Sequence, residues 1–509
     1  MKRTLITVAI ALLAIPATAS ATTITVGPGQ SIGAAVNGAN DDDTVHVLPG
    51  VYVEQPITVS KKIHITGEPG TIVTNASTDA SKPLFTFTSD GGSLATLTAA
   101  STAGTVVAGQ AAIAISDALV VQVAGAVPAV QLSGVGTTTL IRSSVAAVDP
   151  HADAVDIASS TSGDKALSLD SSILSGGASA SSLSATATGS LTPLPPQNGN
   201  ITVQAVHATI AGAASAIATA TSKPALGTPG TITITADRSI LRGTIADGVT
   251  VTKSDTSTAN VFVNPAAKNF HLRADATSVI DQAGPAVDGE SATDVDGQPR
   301  VVGPASDLGA DEFLNQAPVS RLAAPATTRT PGATTFDASA SSDPEAAYGG
   351  GIAGYHFDFG DGTSADSPTP TVTHTYAKPG TYAATVTVTD AQGLAGAASG
   401  AVQAQVTDGI APTVRIISPR NNKKLKRRGS VRITGSATDD TAVAGVGLTL
   451  QRPGSKRLTK ITAKLQQGIW SYKLPSKLKR KRGRYTLTAY AVDAAGNLSK
   501  AARIRFTLK

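Results

Sequence analysis

Short runs of alternating apolar and polar residues recur through the first half of the chain, and they restrict its fold more than any other feature. Examples are AAIAISDALVVQVAG, NITVQAVHATIAG and GTITITADRSILRG. Gly, Ser or Asp ends each run, and small and β-branched residues dominate, a composition that favours strands over helices. The phrases LDSSILSG and ADRSILRG read as one structural unit used twice. We therefore predict an all-β body made of many short strands.

The start of this body has a recognisable order of elements. From Thr22 the pattern predicts a strand, a short amphipathic helix over residues 31–39, and strands broken by Gly and Pro. We predict these strands at residues 44–48, 55–59, 62–66 and 71–74. With the phrases DTVHVLPGVYVE and IHITGE, this order resembles the opening of right-handed parallel β-helix (pectin-lyase-like) proteins, in which the helix caps the coil stack. The alternative, an antiparallel sandwich or barrel, requires tight Asn-Gly or Asp-Gly hairpins, which are scarce here.

Two segments of the body depart from the strand pattern. Residues 178–200 are low in complexity, and we predict a loop or excursion from the stack. Residues 264–313, with NFHL, IDQAG, DVDGQPR and DLGADEF, resemble the closing segment of bacterial secreted β-helix proteins. Asp294 and Asp296 have the alternation of calcium ligands, but a fuller carboxylate set is lacking. We interpret these Asp and Gly residues as turn formers and predict no metal site.

The middle of the chain has a different pattern. After a Pro/Ala/Thr-rich linker at residues 315–330, the phrases TTFDASASSDPE and YHFDFGDGTSADSPTPTVTHTYAKPGTYAATVTVTD resemble a polycystic kidney disease (PKD) domain. The resemblance implies a β-sandwich that serves as a spacer or interaction module. Phe357 stands where the family usually has Trp. By the same resemblance His374 is a structural residue rather than a ligand, and Asp358 and Asp361 belong to a turn.

Alternating strands return in the last hundred residues. The phrases SATDDTAVAGVGLTL and YTLTAYAVDAAGNLSK resemble bacterial Ig-like surface domains, and we predict that Trp470 and Tyr485 lie in the core. Residues 410–509 hold 24 Lys and Arg against three acids, a net charge of about +21, whereas the rest of the chain is acidic. A strongly basic module on an acidic body indicates attraction to a polyanion.

Two basic runs, KKLKRR and KLKRKRGR, lie between the predicted strands of this module. We predict that they form exposed loops that attract a polyanion: an acidic polysaccharide, an acidic polymer of the cell envelope such as a wall polymer or lipopolysaccharide, or extracellular DNA. Aromatic residues do not alternate with the cations, which argues against specific nucleic-acid recognition. The predicted polyanion-binding residues are Lys423, Lys424, Lys426, Arg427, Arg428, Lys477, Lys479, Arg480, Lys481, Arg482 and Arg484.

One stretch of the body, DPHADAVDIA at residues 149–158, raises the question of catalysis. Asp153 and Asp156 have the Asp-x-x-Asp spacing of a polygalacturonase-like motif, and paired carboxylates can act as general acid and base on a glycosidic bond. The rest of that family's set is missing, and no Phe, Tyr or Trp occurs from Thr88 to Val261 to form a sugar platform. We therefore predict an outward-facing Asp156 between inward-facing Val155 and Ile157.

The N-terminus predicts export. Lys2 and Arg3 precede an apolar run, and Ala19-Ser20-Ala21 has the small-x-small form of a cleavage site. A membrane anchor is the alternative for this segment. No later segment has the run of about 20 consecutive apolar residues that a membrane-spanning helix needs. The chain has no cysteine, so its stability must come from burial and hydrogen bonding rather than disulfides.

Together these patterns and family resemblances predict a right-handed parallel β-helix followed by two β-sandwich domains, without a cofactor. The segments are a signal peptide (1–21), the β-helix (22–313), a PKD domain (314–406) and a basic Ig-like domain (407–509). We expect an extracellular or cell-surface protein with a binding, adhesive or structural role. The alternative is a pectate-lyase-like or polygalacturonase-like enzyme that acts on polysaccharide in a groove of the β-helix.

Overall fold

A computed structural model describes residues 20–159, 163–188, 199–222, 230–285 and 290–509. All but the last two residues of the predicted signal peptide lie outside these ranges. The chain forms two compact units, Met1–Leu314 and Asn315–Lys509. The described helices are α1 (Ile32–Gly38) and three 3-10 turns at Pro265–Ala267, Ala346–Tyr348 and Ser476–Lys479. All other regular structure in the described ranges is strand, so the prediction of an all-β chain is confirmed.

The strands of the first unit are β1 (Thr23–Val26), β2 (Thr44–Val47), β3 (Gly50–Glu54), β4 (Ile57–Val59), β5 (His64–Gly67), β6 (Thr71–Asn75), β7 (Phe85–Phe87), β8 (Gly92–Ala95), β9 (Thr98–Ser101), β10 (Val107–Gly109), β11 (Ile113–Ser116), β12 (Leu119–Gln122), β13 (Val130–Leu132), β14 (Gly136–Ile141), β15 (Ser144–Ala147), β16 (Val155–Ala158), β17 (Lys165–Asp170), β18 (Ile173–Ser175), β19 (Ser181–Thr188), β20 (Ile201–Val206), β21 (Thr209–Ser222), β22 (Ile232–Asp237), β23 (Ile240–Ile245), β24 (Val249–Thr252), β25 (Phe262–Asn264) and β26 (Asn269–Leu272).

Most of these strands stack in three parallel faces, and β25 and β26 form a separate antiparallel pair. The first face has the order β1-β2-β5-β8-β11-β14-β17-β20-β22-β24. The second contains β3, β6, β9, β12, β15 and β18, and the third contains β4, β7, β10, β13, β16 and β19. Strand β21 pairs with β18 through its first residues and with β19 through its later ones, and thus joins the second and third faces. This coil stack is the predicted parallel β-helix, whose ladder hydrogen bonds run from coil to coil.

The core of the β-helix is built from aligned inward-facing side chains. On the third face, Phe85, Val107, Val130, Val155 and Leu183 occupy equivalent register positions on successive coils. All five are fully buried. Burying one such side chain contributes roughly 1.5–3 kcal/mol relative to leaving it exposed. Because side chains alternate along a strand, the next position on each coil faces outward, and Asp156 occupies one of these outward positions.

The repeated phrases of the sequence correspond to one corner of the stack. There the chain turns from the first face to the second through a residue with positive φ. These residues are Thr96, Asp117, Arg142, Ser171, His207, Arg238 and Lys253. A Ser often follows, and its hydroxyl closes the bend: Ser172 Oγ donates to the Asp170 carbonyl at 2.9 Å and accepts from the Ser143 amide at 3.1 Å. The corners therefore support one another from coil to coil.

The N-terminal elements agree with the sequence pattern to within a few residues, and β3 is an additional strand. Helix α1 begins after Ser31, whose hydroxyl accepts from the Ala34 amide, and the Glu54 carboxylate accepts from the Ile32 amide at 2.6 Å. These bonds satisfy amides that have no partner within the helix. The prediction of a loop over residues 178–200 was wrong in part. Ser181–Thr188 is strand β19, because its small residues fit the existing ladder, and residues 189–198 lie outside the described ranges.

Lys165 is a buried cation within the first face of the β-helix. Its side chain is fully buried, and its Nζ donates to the Ala111 carbonyl at 2.9 Å. Burial lowers the pKa of Lys165 to about 8, against an opposing effect of Asp90. The folded chain therefore binds this proton less tightly than the unfolded chain does, and the ammonium form destabilises the fold below the ordinary lysine pKa.

We predict that parent and Lys165→Met proteins respond differently to alkaline pH. The parent should gain stability relative to the variant as the pH rises from 7 through about 8 toward 10.5, by up to about 3 kcal/mol. Urea unfolding of both proteins across this pH range measures the difference. An unfolding free-energy difference that stays constant with pH would contradict it.

The strands of the second unit are β27 (Thr327–Arg329), β28 (Thr334–Asp337), β29 (Ile352–Asp358), β30 (Ser364–Ser367), β31 (Thr371–His374), β32 (Gly380–Asp390), β33 (Val402–Thr407), β34 (Thr413–Ser418), β35 (Lys424–Leu425), β36 (Arg432–Thr438), β37 (Val443–Gln451), β38 (Leu458–Thr462), β39 (Lys464–Gln466), β40 (Ile469–Lys473), β41 (Gly483–Asp493) and β42 (Ala502–Leu508).

They form two β-sandwiches. The first sandwich has a sheet of order β27-β33-β32-β29-β30 and a pair, β28-β31. The second sandwich has the sheets β34-β36-β40-β39 and β35-β42-β41-β37-β38. Trp470 and Tyr485 are fully buried in the second sandwich, as predicted. With the β-helix, these sandwiches confirm the predicted fold class.

His374 of the first sandwich has a structural environment. Its ring stacks on Phe359 with centroids 4.0 Å apart and meets Tyr376 edge-on at 4.6 Å. Its Nε2 lies 2.8 Å from an Asp361 carboxylate oxygen. The ring therefore closes an aromatic cluster over the turn that contains Asp361, which agrees with the structural role implied by the family resemblance.

Candidate functional site

The two basic runs of the second sandwich lie side by side. The Arg427 guanidinium donates from Nη1 to the Arg480 carbonyl at 3.1 Å. The Arg427 amide donates to the Lys509 carbonyl at 3.1 Å, and β35 pairs with the end of β42. The segment 423–428 is thus held along the edge of the five-stranded sheet beside the segment 477–484, and the positive charge of both is concentrated in one place.

Lys479 differs from the other predicted polyanion-binding residues. It is the last residue of the 3-10 turn Ser476–Lys479 and is 9% exposed. Its Nζ donates to the Gly429 carbonyl, and the Tyr485 hydroxyl lies 2.7 Å from the Lys481 carbonyl. The Lys479 ammonium therefore ties one loop to the other and is turned away from an external polymer.

The remaining predicted residues are accessible. Arg427 is half-buried, and the other nine are exposed. All of residues 410–509 are described, and no Lys or Arg nitrogen among them lies within 4.0 Å of a carboxylate oxygen. Their mutual repulsion is therefore not offset by ion pairs within the fold, and an external anion would relieve it.

The structure adds cations that the search for basic runs missed. Arg503 and Arg505 on β42 and Lys460 on β38 are exposed on the outer side of the same five-stranded sheet. Antiparallel register places Arg505 opposite Thr486, one alternate position along β41 from Arg484. The sequence does indicate these outward cations, because polar and apolar residues alternate along the strand. In RIRF the two arginines occupy outward positions and Phe506 is buried.

The acidic stretch at residues 149–158 forms part of a coil edge. Asp149 accepts from the Gly125 amide at 3.0 Å, and Asp153 accepts from the Ser181 amide at 2.7 Å. His151 is exposed, with its Nδ1 3.7 Å from Asp149. These carboxylates therefore cap backbone groups of the neighbouring coils.

Asp156 lies on β16, on the outer side of the third face, between Gln131 and Ser184 of the adjacent coils. Burial raises the pKa of Asp156, and the nearby Asp153 carboxylate raises it further, against a hydrogen bond from Ser184. Burial also raises the pKa of Asp153. An effect of one carboxylate on the pKa of its neighbour occurs in paired catalytic acids and also at crowded coil edges.

The closing segment of the β-helix uses its acids to accept backbone amides. Asp294, which is fully buried, accepts from the amides of Asp296, Gln298 and Glu312. Burial raises the pKa of Glu312 to about 8, and its carboxylate accepts from the Val302 amide at 2.8 Å. The Asp-rich phrases therefore organise an irregular segment that has few ladder bonds of its own.

Among the described residues, two clusters of side chains have the composition of a cation site. His271 Nδ1 lies 3.1 Å from Asp296 and 3.0 Å from Asp311, and these carboxylates raise the pKa of His271 to about 10. The second cluster consists of Asp408, Asp439 and Asp493, whose ligand atoms lie within 4.8 Å of one another. Oxygen-rich sets of this kind suit hard divalent cations, although the first cluster is already stabilised as an ion triad.

A cavity of about 800 Å³ in the first unit adjoins the end of the coil stack. Arg242 at its wall pairs with Asp255 at 2.8 Å and lies 5.7 Å from the centre of the Phe262 ring. Lys268 Nζ donates to the Gly176 carbonyl at 2.6 Å, and burial lowers the pKa of Lys268. Both cations are thus bound within the protein, and the rest of the lining is mostly small or apolar.

Comparison with family models identifies both sandwiches. A PKD domain model matches residues 315–406, and a bacterial Ig domain model matches residues 412–489. The chain therefore contains a PKD domain and a bacterial Ig domain, in the predicted order. Domains of these kinds are typical of extracellular proteins. A search of curated proteins found no match.

Several solved structures are similar to part of the chain at low identity. Fibronectin(III)-like modules of Clostridium thermocellum CbhA are 16% identical, with 37% of this chain and 94% of theirs covered and a TM-score of 0.18. Carbohydrate-binding modules of the β-sandwich superfamily are 20% identical, with 37% and 100% covered and a TM-score of 0.18. The titin fragment I67–I69 is 13% identical, with 38% and 65% covered and a TM-score of 0.23.

None of the helices in the described part of the chain has both the length and the apolar character needed to cross a bilayer.

Proposed function

We propose that this protein is an extracellular binding protein whose bacterial Ig domain attaches it to an acidic polysaccharide or another acidic envelope polymer. The main support for this proposal is that residues 423–428 and 477–484 lie side by side and form one exposed cationic surface. The cations of this surface have no carboxylate partner within the fully described domain. The rest of the chain is acidic, so the polymer is directed to this domain. On this proposal the β-helix and the PKD domain form the body that the basic domain anchors.

Binding of the full chain to immobilised polygalacturonate, compared with a neutral glucan, tests this proposal. We expect retention on the acidic polymer alone, with an affinity that falls steeply between 50 and 200 mM salt because exposed charges are screened. A variant truncated after Asp408 should lose retention, provided that its β-helix and PKD domain retain their circular dichroism. Retention that survives both high salt and this truncation would overturn the proposal.

The same preparation distinguishes the alternative of a polysaccharide-active enzyme. Its supporting observation is the pair Asp153 and Asp156, each with a pKa raised by burial. On that alternative the protein releases reducing ends or unsaturated products from the bound polymer, and an Asp153→Ala/Asp156→Ala variant does not. The binding proposal predicts retention by both proteins and turnover by neither.

A further inference from the structure

We propose that the outer face of the five-stranded sheet in the bacterial Ig domain is a groove for the sugar rings of a carboxylated polysaccharide, with Tyr490 as the stacking platform. This inference rests on the proposed function and adds to it a site and a class of ligand. The cationic loops would supply long-range attraction, and this groove would recognise the polymer as a saccharide.

The groove exists because glycines occupy the outward positions of the central strand. On β37 the outward positions include Gly445 and Gly447, between the inward Val446 and Leu448. A Cβ added to Gly447 would have no atom within 4 Å, and its φ is not positive. The backbone therefore does not need glycine at position 447, and the missing side chain leaves open space above the strand.

This open space adjoins Tyr490. Register places Tyr490 of β41 opposite Gly447, so no side chain from the neighbouring central strand covers this side of the ring. The resulting depression, about 460 Å³, is also lined by Thr449, Lys460, Thr462 and Leu498. Leu498 is 61% exposed, and the Tyr490 hydroxyl makes no hydrogen bond within the fully described domain. Tyr490 itself is half-buried. A half-buried aromatic ring beside apolar surface and hydroxyl groups has the composition of a sugar-binding site.

Cations border the groove on both sides. One cross-strand row runs from Arg503 through Thr488 and Thr449 to Lys460. With strands about 4.8 Å apart, the two outer strands that carry these cations are about 14 Å apart, and the two threonines form the floor between them. Acidic side chains are absent from this row, so a ring placed on the threonines would present its carboxylate to a cation.

A second depression continues the groove toward the basic loops. It has a volume of about 420 Å³ and is lined by Gln451, Arg452, Lys456, Arg484 and Thr486. From Tyr490 to Arg484 the strand rises about 20 Å, at roughly 3.3 Å per residue. The two depressions therefore form an extended track from an aromatic end to a cationic end. Charge complementarity along this track favours a linear polyuronate as the occupant.

The test uses the full chain and two probes, polygalacturonate and inorganic polyphosphate, of which only the first has sugar rings. Tyr490→Ala removes the platform, and Gly447→Val fills the space beside it. The controls are Tyr348→Ala, at an exposed tyrosine of the PKD domain, and Gly354→Val, at a strand glycine with equally open surroundings. Circular dichroism and the unfolding midpoint of each variant verify that it is folded.

We expect Tyr490→Ala and Gly447→Val each to weaken polygalacturonate binding about tenfold or more, because an aromatic contact of this kind is worth about that factor. Polyphosphate affinity and the salt dependence should stay at the parent values, and the controls should match the parent with both probes. Equal polygalacturonate affinity in parent and groove variants would overturn the groove and leave the proposed function standing. A parent that binds neither probe would overturn the proposed function, and the groove with it.

Discussion

Neutralising six exposed cations of the two loops is expected to weaken binding of the full chain to acidic polysaccharide about a hundredfold at low salt. Each exposed charge contact contributes roughly 0.5 kcal/mol, and six of them together amount to about 3 kcal/mol. The affinity of the variant should also depend less on salt, because fewer charges take part. The six residues changed to Gln are Lys424, Lys426, Arg428, Lys477, Lys481 and Arg482.

A second variant with the same loss of charge distinguishes the effect of contacts made by the two loops from the effect of the domain's net charge on binding. It carries Gln at six exposed cations outside the two loops: Arg415, Arg420, Arg432, Lys464, Lys473 and Lys500. We expect this variant to keep most of the parent affinity, measured by titration of the same polymer at 50 mM salt. Equal losses in the two variants would show that the loops have no special role and that total charge alone drives binding.

Gly435→Ala is expected to unfold the bacterial Ig domain, with a loss of more than about 4 kcal/mol. Gly435 lies on β36 between Ile416 of β34 and Trp470 of β40. A Cβ there would lie 2.1 Å from the Arg415 carbonyl oxygen and 2.2 Å from the Trp470 ring. Neither group can move easily, because one is sheet backbone and the other is a fully buried ring.

Trp470 is the only tryptophan of the chain, so its fluorescence reports on this domain alone. In urea, Gly435→Ala should show an exposed Trp470 at concentrations where the parent is folded. Gly447→Ala is the matched control, since its Cβ meets no atom within 4 Å, and it should unfold at or above the parent midpoint. Similar midpoints for the two variants would refute the packing argument.

The structure gives a common role to two acidic residues for which the sequence suggested different chemistry. Asp153 and Asp294 both occur in Asp-rich stretches that suggested chemistry, one catalytic and one metal-binding. Both carboxylates accept backbone amides, Asp153 from one and Asp294 from three. Such bonds are needed where strands end and the ladder no longer supplies partners. A dense acidic stretch in a β-helix is therefore weak evidence of an active site until its hydrogen bonds are known.

The sequence alone determined the local features of this protein. Strand positions, the capping helix, the burial of Val155 and Ile157 and the two sandwiches follow from alternation, turn residues and short family phrases, all of which are properties of neighbouring residues. The net charge of the last hundred residues is likewise independent of the fold.

Only the tertiary structure decided which distant residues share a surface. Arg427 meets Arg480 across 53 positions of sequence, and Lys479 turns inward from a run of otherwise exposed cations. The placement of Tyr490 opposite Gly447 depends on the register between two strands. A shift of one residue in that register would send every outward side chain to the other face. The groove is therefore a product of strand pairing, which no short stretch of the sequence encodes.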